Sequence, residues 1–162
     1  MTQTQAWRRK RNRLYRDAYR GSFAFAVTIN TWHREPVLAN ALEVDDCRQV
    51  LEGTSKDHGF VVMVYCFMPD HLHLLVQGSE ASDLAAFMKA FKQVTAFQYK
   101  GRTGMRLWQP SYHDHIVRGD DDLEATIDYI LGNPVVAGLA EDAYAYPFTG
   151  GAVLEEEEAV AT

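Results

Sequence analysis

The stretch VYCFMPDHLHLLV, Val64 to Val76, decides the fold. It closes a nearly continuous apolar run, Phe60 to Phe67 (FVVMVYCF), which reads as a strand. Met68, Pro69 and Asp70 then supply a turn signal, and His71 to Gln77 (HLHLLVQ) reads as the next strand. Strand side chains alternate between faces, so His71 and His73 point the same way with Cα atoms roughly 6.5 to 7 Å apart, while Leu72 and Leu74 face the core. That spacing lets two imidazoles share one divalent ion, although surface histidines also alternate with core residues in many sheets.

Outward from this hairpin, strand and helix periods alternate. Phe23 to Thr31 (FAFAVTINT), bounded by Gly21 and Ser22, reads as a strand, and Val37 to His58 carries apolar residues at helical spacing, with Gly53 or Gly59 to close it. Ser82 or Asp83 caps a helix running to about Lys100. His113 to Arg118 reads as a short fourth strand. A last helix starts at Gly119 to Asp122, where acids suit the helix dipole, and Asn133-Pro134 is expected to end it. The order strand, helix, strand, strand, helix, strand, helix predicts an α+β fold: an antiparallel sheet with helices mainly on one face, in the ferredoxin-like manner.

With 162 residues, 47% hydrophobic and 23% charged, the chain fits one globular domain. No run is long enough for a membrane helix and Met1 to Arg20 holds no secretory-type apolar core, so a soluble, cytoplasmic protein is expected. Cys47 and Cys66 are too few for a disulfide framework or a four-cysteine zinc site, and are expected as buried thiols.

Charge is segregated along the chain. Residues 1 to 118 hold all 16 Lys and Arg with 11 of the 22 acids, a balance of plus five, whereas residues 119 to 162 hold the other 11 acids and no Lys or Arg. A polyanion meets the local field, so the overall charge of minus six does not exclude a nucleic-acid partner. Arg8, Arg9, Lys10, Arg11, Arg13, Arg16 and Arg20 form a basic arm interleaved with Trp7, Tyr15 and Tyr19, a mixture suited to phosphate contacts and base stacking, and equally the composition of a solvated or partly disordered tail or an Arg-rich targeting peptide. The expected organisation is a basic arm over 1–20, one domain over 21–150 and an acidic, mobile tail over 151–162.

Read together, Val64 to Val76 and a second block, LWQPSYHDHIVRGDDDLEATIDYILGNPVVAGL (Leu107 to Leu139), carry a family resemblance. The first resembles the HUH motif of single-tyrosine transposases, two histidines flanking a bulky hydrophobe after a Met-Pro-Asp turn. The second is similar to the downstream block of the REP-associated tyrosine transposases: Trp108-Gln109, Tyr112, His115-Ile116-Val117-Arg118, Asp128-Tyr129-Ile130, Asn133-Pro134-Val135 and Gly138, with Tyr146-Pro147-Phe148 after it. The resemblance covers roughly residues 14 to 150. It implies the HUH endonuclease fold, related to RRM-like sheets, with the histidine strand facing a tyrosine helix. It further implies a single-stranded DNA endonuclease and strand transferase acting on palindromic, REP-like hairpins through a covalent 5′-phosphotyrosine.

Carried over residue by residue, the nucleophile is Tyr129, and His71 and His73 hold Mg²⁺ or Mn²⁺. Asn133, one helical turn beyond Tyr129, is a candidate third ligand, or else a helix-terminating residue before Pro134. His115 is a possible supporting residue, and His113 is in a variable place. Expected DNA contacts are Arg8, Arg9, Arg11, Arg13, Lys89, Lys92, Lys100, Arg102, Arg106 and Arg118, with Trp7, Trp32 and Trp108 as candidate base-stacking groups, Trp108 equally a core anchor. The chain departs from many relatives in having Glu124, Ala125, Thr126, Val136 and Ala137 where those are basic. The alternative is a domesticated hairpin-DNA-binding protein without cleavage. Both a monomer and a homodimer are compatible with the resemblance.

Overall fold

Val61–Met68 (β2) and His71–Gln77 (β3) form the expected hairpin, and Ala24–Asn30 (β1) pairs antiparallel with the other edge of β3. A computed structural model describes residues 22–161 of the chain. The basic arm, with Arg8, Arg9, Arg11, Arg13 and Trp7, lies outside the described residues. His113–Val117 (β4) adds to β1, and a short Thr149–Gly150 (β5) adds to β2, giving a five-stranded sheet in the order β4-β1-β3-β2-β5 with every pairing antiparallel. The α+β antiparallel class read from the sequence is the one observed.

Two helices cover one face. Ala41–Asp57 (α1) starts later than Val37 because Asn40 caps it, its side chain accepting from the Leu42 N–H; Val37–Ala39 forms a separate tight turn. Leu84–Thr103 (α2) is capped by Asp83, whose carboxylate accepts from the Ala86 N–H. Against them the sheet turns Phe25, Val27, Ile29, Phe67, Leu72, Leu74 and Val76, which pack with Leu51, Phe87, Met88 and Phe91. Each fully buried large side chain of this kind contributes about 1.5–3 kcal/mol. Trp108 belongs to this core, 4% exposed with its Nε1–H donated to Thr95, so it is a core anchor and is not open to base stacking.

The opposite face carries Asp120–Val136 (α3) and Ala152–Val160 (α4). Ala24, Ala26, Val64, Cys66 and Leu75 meet Ile130, Leu131 and Tyr146 there, with Val153 and Leu154 packed at the margin. The segment expected as a mobile tail over 151–162 is helical over Ala152–Val160, with Val153 and Leu154 half-buried and Glu155 to Val160 exposed. Gly151 makes this possible. Its φ of 121° lies outside the usual range of L side chains, and a Cβ there would sit 2.5 Å from the Met63 carbonyl oxygen.

Pro134 does not end α3, contrary to the expectation for Asn133-Pro134. The helix runs on to Val136 and stops in a Schellman motif, the Leu139 N–H bonding Pro134 O and the Gly138 N–H bonding Val135 O, with Gly138 at φ 74°. These bonds satisfy the last carbonyls, and Pro134 is buried, which offsets the hydrogen bond it cannot donate. Asn133 therefore stays helical, one turn after Tyr129.

Candidate active site

On β3, His71 and His73 lie on the α3 side of the sheet, and their Nε2 atoms approach to 3.1 Å. Asn133 projects from α3 to the same point, its Nδ2 3.1 Å from His73 Nε2. The Tyr129 ring stands edge-on to the His73 ring, centroids 5.6 Å apart, and Tyr129 is 64% exposed. The alternation of β3 and the i, i+4 spacing of α3 thus bring four side chains from residues 71 to 133 to one cleft.

The outer ring nitrogens are held from behind. Asp70 Oδ1 lies 2.6 Å from His71 Nδ1, and Thr28 Oγ1 lies 3.1 Å from His73 Nδ1. Asp70 is itself pinned. Its Oδ2 accepts from Arg34 Nε at 2.9 Å, its backbone oxygen accepts from both the N–H and the hydroxyl of Thr31, and the preceding Pro69 oxygen accepts from the Leu38 N–H. Burial pushes the Asp70 carboxyl up, but the hydrogen bonds and charges of His71 and Arg34 outweigh it and hold the group below its ordinary value. His73 is pushed down to about 4, by burial first and then by neighbouring His71 and Arg34. It is therefore a neutral imidazole at neutral pH.

An amide nitrogen only donates, so Asn133 Nδ2–H meets a lone pair on His73 Nε2, and the His73 proton sits on Nδ1 facing Thr28. Two imidazole nitrogens and one amide at a single point fit a divalent cation. Asn133 offers a cation only its carbonyl Oδ1, so holding one requires the amide to present that atom. Among the described residues no three His, Cys, Asp or Glu side chains cluster as a ligand set; the third side chain at this point is the Asn133 amide.

The remaining expected residues are dispersed. His113 pairs with Thr28 and His115 with Ala26, so both share the face of His73, but β1 stands between them and β3, a separation of about 10 Å. Arg118 is exposed at the end of β4, where it lines a cavity with Phe23, Gln77 and Leu123. Lys89 and Lys92 stand on α2, on the far face of the sheet, lining a cavity with Gln93, Pro110, Tyr112 and Asp114. Lys92 donates to Gln109 O and lies 5.7 Å from the Tyr112 ring centre. Lys100 is exposed on the same helix. Arg102 is ion-paired with Glu43 and Asp46 of α1, away from the cleft. Trp32 is half-buried beneath the Arg106 guanidinium, 4.4 Å from its ring centre. Cys47 and Cys66 are buried free thiols, as expected, and burial pushes them up to about 12 and about 11.

Sequence reasoning did not single out Thr28, Arg34 or Asp70 as site residues. Asp70 was visible only as a turn former; Thr28 reaches His73, 45 residues on, through the β1–β3 pairing, and Arg34 reaches Asp70, 36 residues on, from the tight turn after β1.

Paired histidines on an antiparallel sheet facing a helical tyrosine are the arrangement expected of a single-tyrosine transposase. Residues 21–133 match the model of the family described as Transposase IS200 like, and the chain belongs to that family. Its similarity is to the REP-associated tyrosine transposases. A Haemophilus influenzae protein assigned that name is 30% identical over 119 residues, covering 65% of this chain and 67% of that one. The Escherichia coli REP-associated tyrosine transposase is 24% identical over 136 residues, covering 83% and 80%. Among solved structures, a REP-associated tyrosine transposase bound to a REP hairpin aligns over 86% of this chain and 81% of that one, with TM-score 0.72 and 23% identity. A transposase from Deinococcus radiodurans aligns over 78% and 97%, with TM-score 0.53 and 21% identity. Among the described residues no helix is long and apolar enough to cross a membrane.

Proposed function

We propose that this chain is a metal-dependent single-stranded DNA endonuclease and strand transferase that acts on palindromic, REP-like hairpin DNA, with Tyr129 as nucleophile. The observation that carries the reading is the convergence of His71 Nε2, His73 Nε2 and the Asn133 amide beside an exposed tyrosine ring. His71, His73 and Asn133 would hold Mg²⁺ or Mn²⁺. When bound, such a cation supplies Lewis-acid polarisation of a phosphate oxygen.

Tyr129 does the bond-making. Its phenolic oxygen forms a bond to phosphorus as the P–O3′ bond breaks, leaving a 5′-phosphotyrosyl strand and a 3′-oxygen that takes a proton, while the phenol proton passes to solvent. Reversal by an incoming 3′-hydroxyl rejoins strands and frees the phenol. Exposure of Tyr129 suits it to a polymeric substrate lying across the cleft. One chain supplies all four side chains, which supports action by a single protomer.

Hairpin recognition is inferred from the solved neighbour, a REP-associated tyrosine transposase bound to a REP hairpin. Arg118, at the end of β4, and the basic arm are the groups of this chain suited to phosphate contact. Lys89 and Lys92 would engage strand only after it passes around the β4 edge.

The test is covalent capture of a labelled single-stranded hairpin in Mn²⁺. Wild type is expected to give a protein–DNA adduct stable in denaturing gels, and Tyr129→Phe to give none while binding the hairpin within about twofold. An adduct on the Phe variant would remove Tyr129 as nucleophile. Tight hairpin binding by wild type with no cleavage in Mg²⁺ or Mn²⁺ would favour the domesticated binding protein.

A further inference from the structure

We propose that Asp70 and Thr28 are positioning residues which hold a proton on Nδ1 of His71 and His73, so that both Nε2 atoms, 3.1 Å apart, are turned to the cation site before any cation arrives. This rests on the reading of His71, His73 and Asn133 as the metal-holding set.

Both outer nitrogens face an oxygen. An ionised carboxylate can only accept, so His71 Nδ1 must carry a proton to bond Asp70 Oδ1 at 2.6 Å. The Asn133 amide donor on His73 Nε2 likewise places the His73 proton on Nδ1, where it is donated to Thr28 Oγ1 at 3.1 Å. In the other tautomer each ring would turn a proton toward the cation site. Outer partners of metal-binding histidines act in this way, setting ring orientation and basicity.

The support behind Asp70 is costly in backbone terms, which marks it as more than a loop detail. His33 and Arg34 are consecutive non-glycine residues at φ 54° and 58°, in the left-handed region that side chains rarely adopt. That conformation delivers Arg34 Nε to Asp70 Oδ2 at 2.9 Å and its Nη1 to Asn30 Oδ1 at 2.7 Å. Strain of this sort persists only where surrounding structure over-determines it, and it concentrates at functional sites.

The experiment pairs imidazole ¹⁵N spectra of the metal-free protein, which report the tautomer of each ring, with Mn²⁺ titration followed by electron paramagnetic resonance. Asp70→Ala and Thr28→Val are expected to move His71 and His73 respectively away from the Nδ1–H form, and to raise the Mn²⁺ Kd by about 10- to 100-fold. Asp70→Asn and Thr28→Ser, which keep an acceptor oxygen in place, are expected to restore most of the tautomer preference and lie closer to wild type in Kd. His71→Ala and His73→Ala are the controls for the metal site itself. If those two lose Mn²⁺ while Asp70→Ala and Thr28→Val keep wild-type tautomers and a Kd within twofold, the positioning role is wrong and the metal site stands. If the histidine variants bind Mn²⁺ like wild type, both readings fall. Should the Ala and Val variants fold poorly, the wild-type spectrum still decides: rings of the metal-free wild-type protein found without a proton on Nδ1 overturn the proposal.

Discussion

Replacing His73 by Gln tests whether the cleft holds that ring neutral. In the folded, metal-free protein His73 is pushed down to about 4, whereas an unfolded histidine keeps an ordinary value near 6.5. Between those two pH values the unfolded chain binds more protons than the folded one, so folding stability must rise with pH across the window. Above about 6.5 both states carry a neutral ring and nothing is lost. As pH falls through the window the penalty grows, reaching on the order of 3 kcal/mol near pH 4, at about 1.4 kcal/mol per pH step. His73 is 8% exposed, so solvent does little to screen this cost. The assay is urea unfolding in a chelator at pH 7, 6, 5 and 4, for wild type and His73→Gln. Carboxylates and histidines distant from His73 titrate alike in both proteins and cancel in the difference; His71, in contact with it, contributes to that same difference. The stability of wild type relative to the variant is expected to fall by about 3 kcal/mol from pH 7 to pH 4. A difference that stays flat, or that grows in favour of wild type at low pH, would refute the claim that His73 sits uncharged between His71, Thr28 and Asn133.

Asn133→Asp replaces an amide oxygen with a charged one that hard cations prefer, so Mn²⁺ Kd is expected to fall, whereas Asn133→Leu is expected to raise it at least tenfold, both read by titration. Tyr146→Phe removes the buried hydroxyl that donates to Phe67 O at 2.7 Å; thermal or urea unfolding is expected to show a loss of about 1–3 kcal/mol with adduct yield per folded molecule unchanged. At pH 8 an ordinary thiol is roughly one-tenth thiolate, while Cys47 and Cys66, at about 12 and about 11, hold roughly a ten-thousandth and a thousandth, so a disulfide reagent should react with both slowly until denaturant is added.

How much of this was legible follows from the range of the interactions involved. The sheet was readable because its signals are local: apolar runs, the Met68-Pro69-Asp70 turn, and alternation in His71 to Gln77 that separates two histidines from Leu72, Leu74 and Val76. Capping by Asp83 is local as well. The second face of the sheet was less visible because Ala24, Ala26 and Cys66 are small and give a weak apolar signal, yet they are what lets α3 lie close against the strands. β5 and α4 had a signal that went unused, the Gly150-Gly151 pair followed by Val153 and Leu154. Thr28 and Arg34 had none, since no pattern in one chain states that residue 28 pairs with residue 73.

Asn133 shows how a sound local rule is overruled. A residue before proline is pushed away from the helical region, which made helix termination and metal binding competing readings of the same side chain. The missing Pro134 N–H costs one hydrogen bond in the last turn, whereas ending the helix there would expose Pro134 and Leu131 and forgo both Schellman bonds made by Gly138 and Leu139. The balance favours continuation. Gly138, four residues after the proline, is the position where such a helix stops, and it was present in the sequence as a counter-signal. Because the turn from Tyr129 to Asn133 remains helical, both side chains reach the histidines from the same direction, and the amide meets His73 at 3.1 Å rather than turning away with the chain.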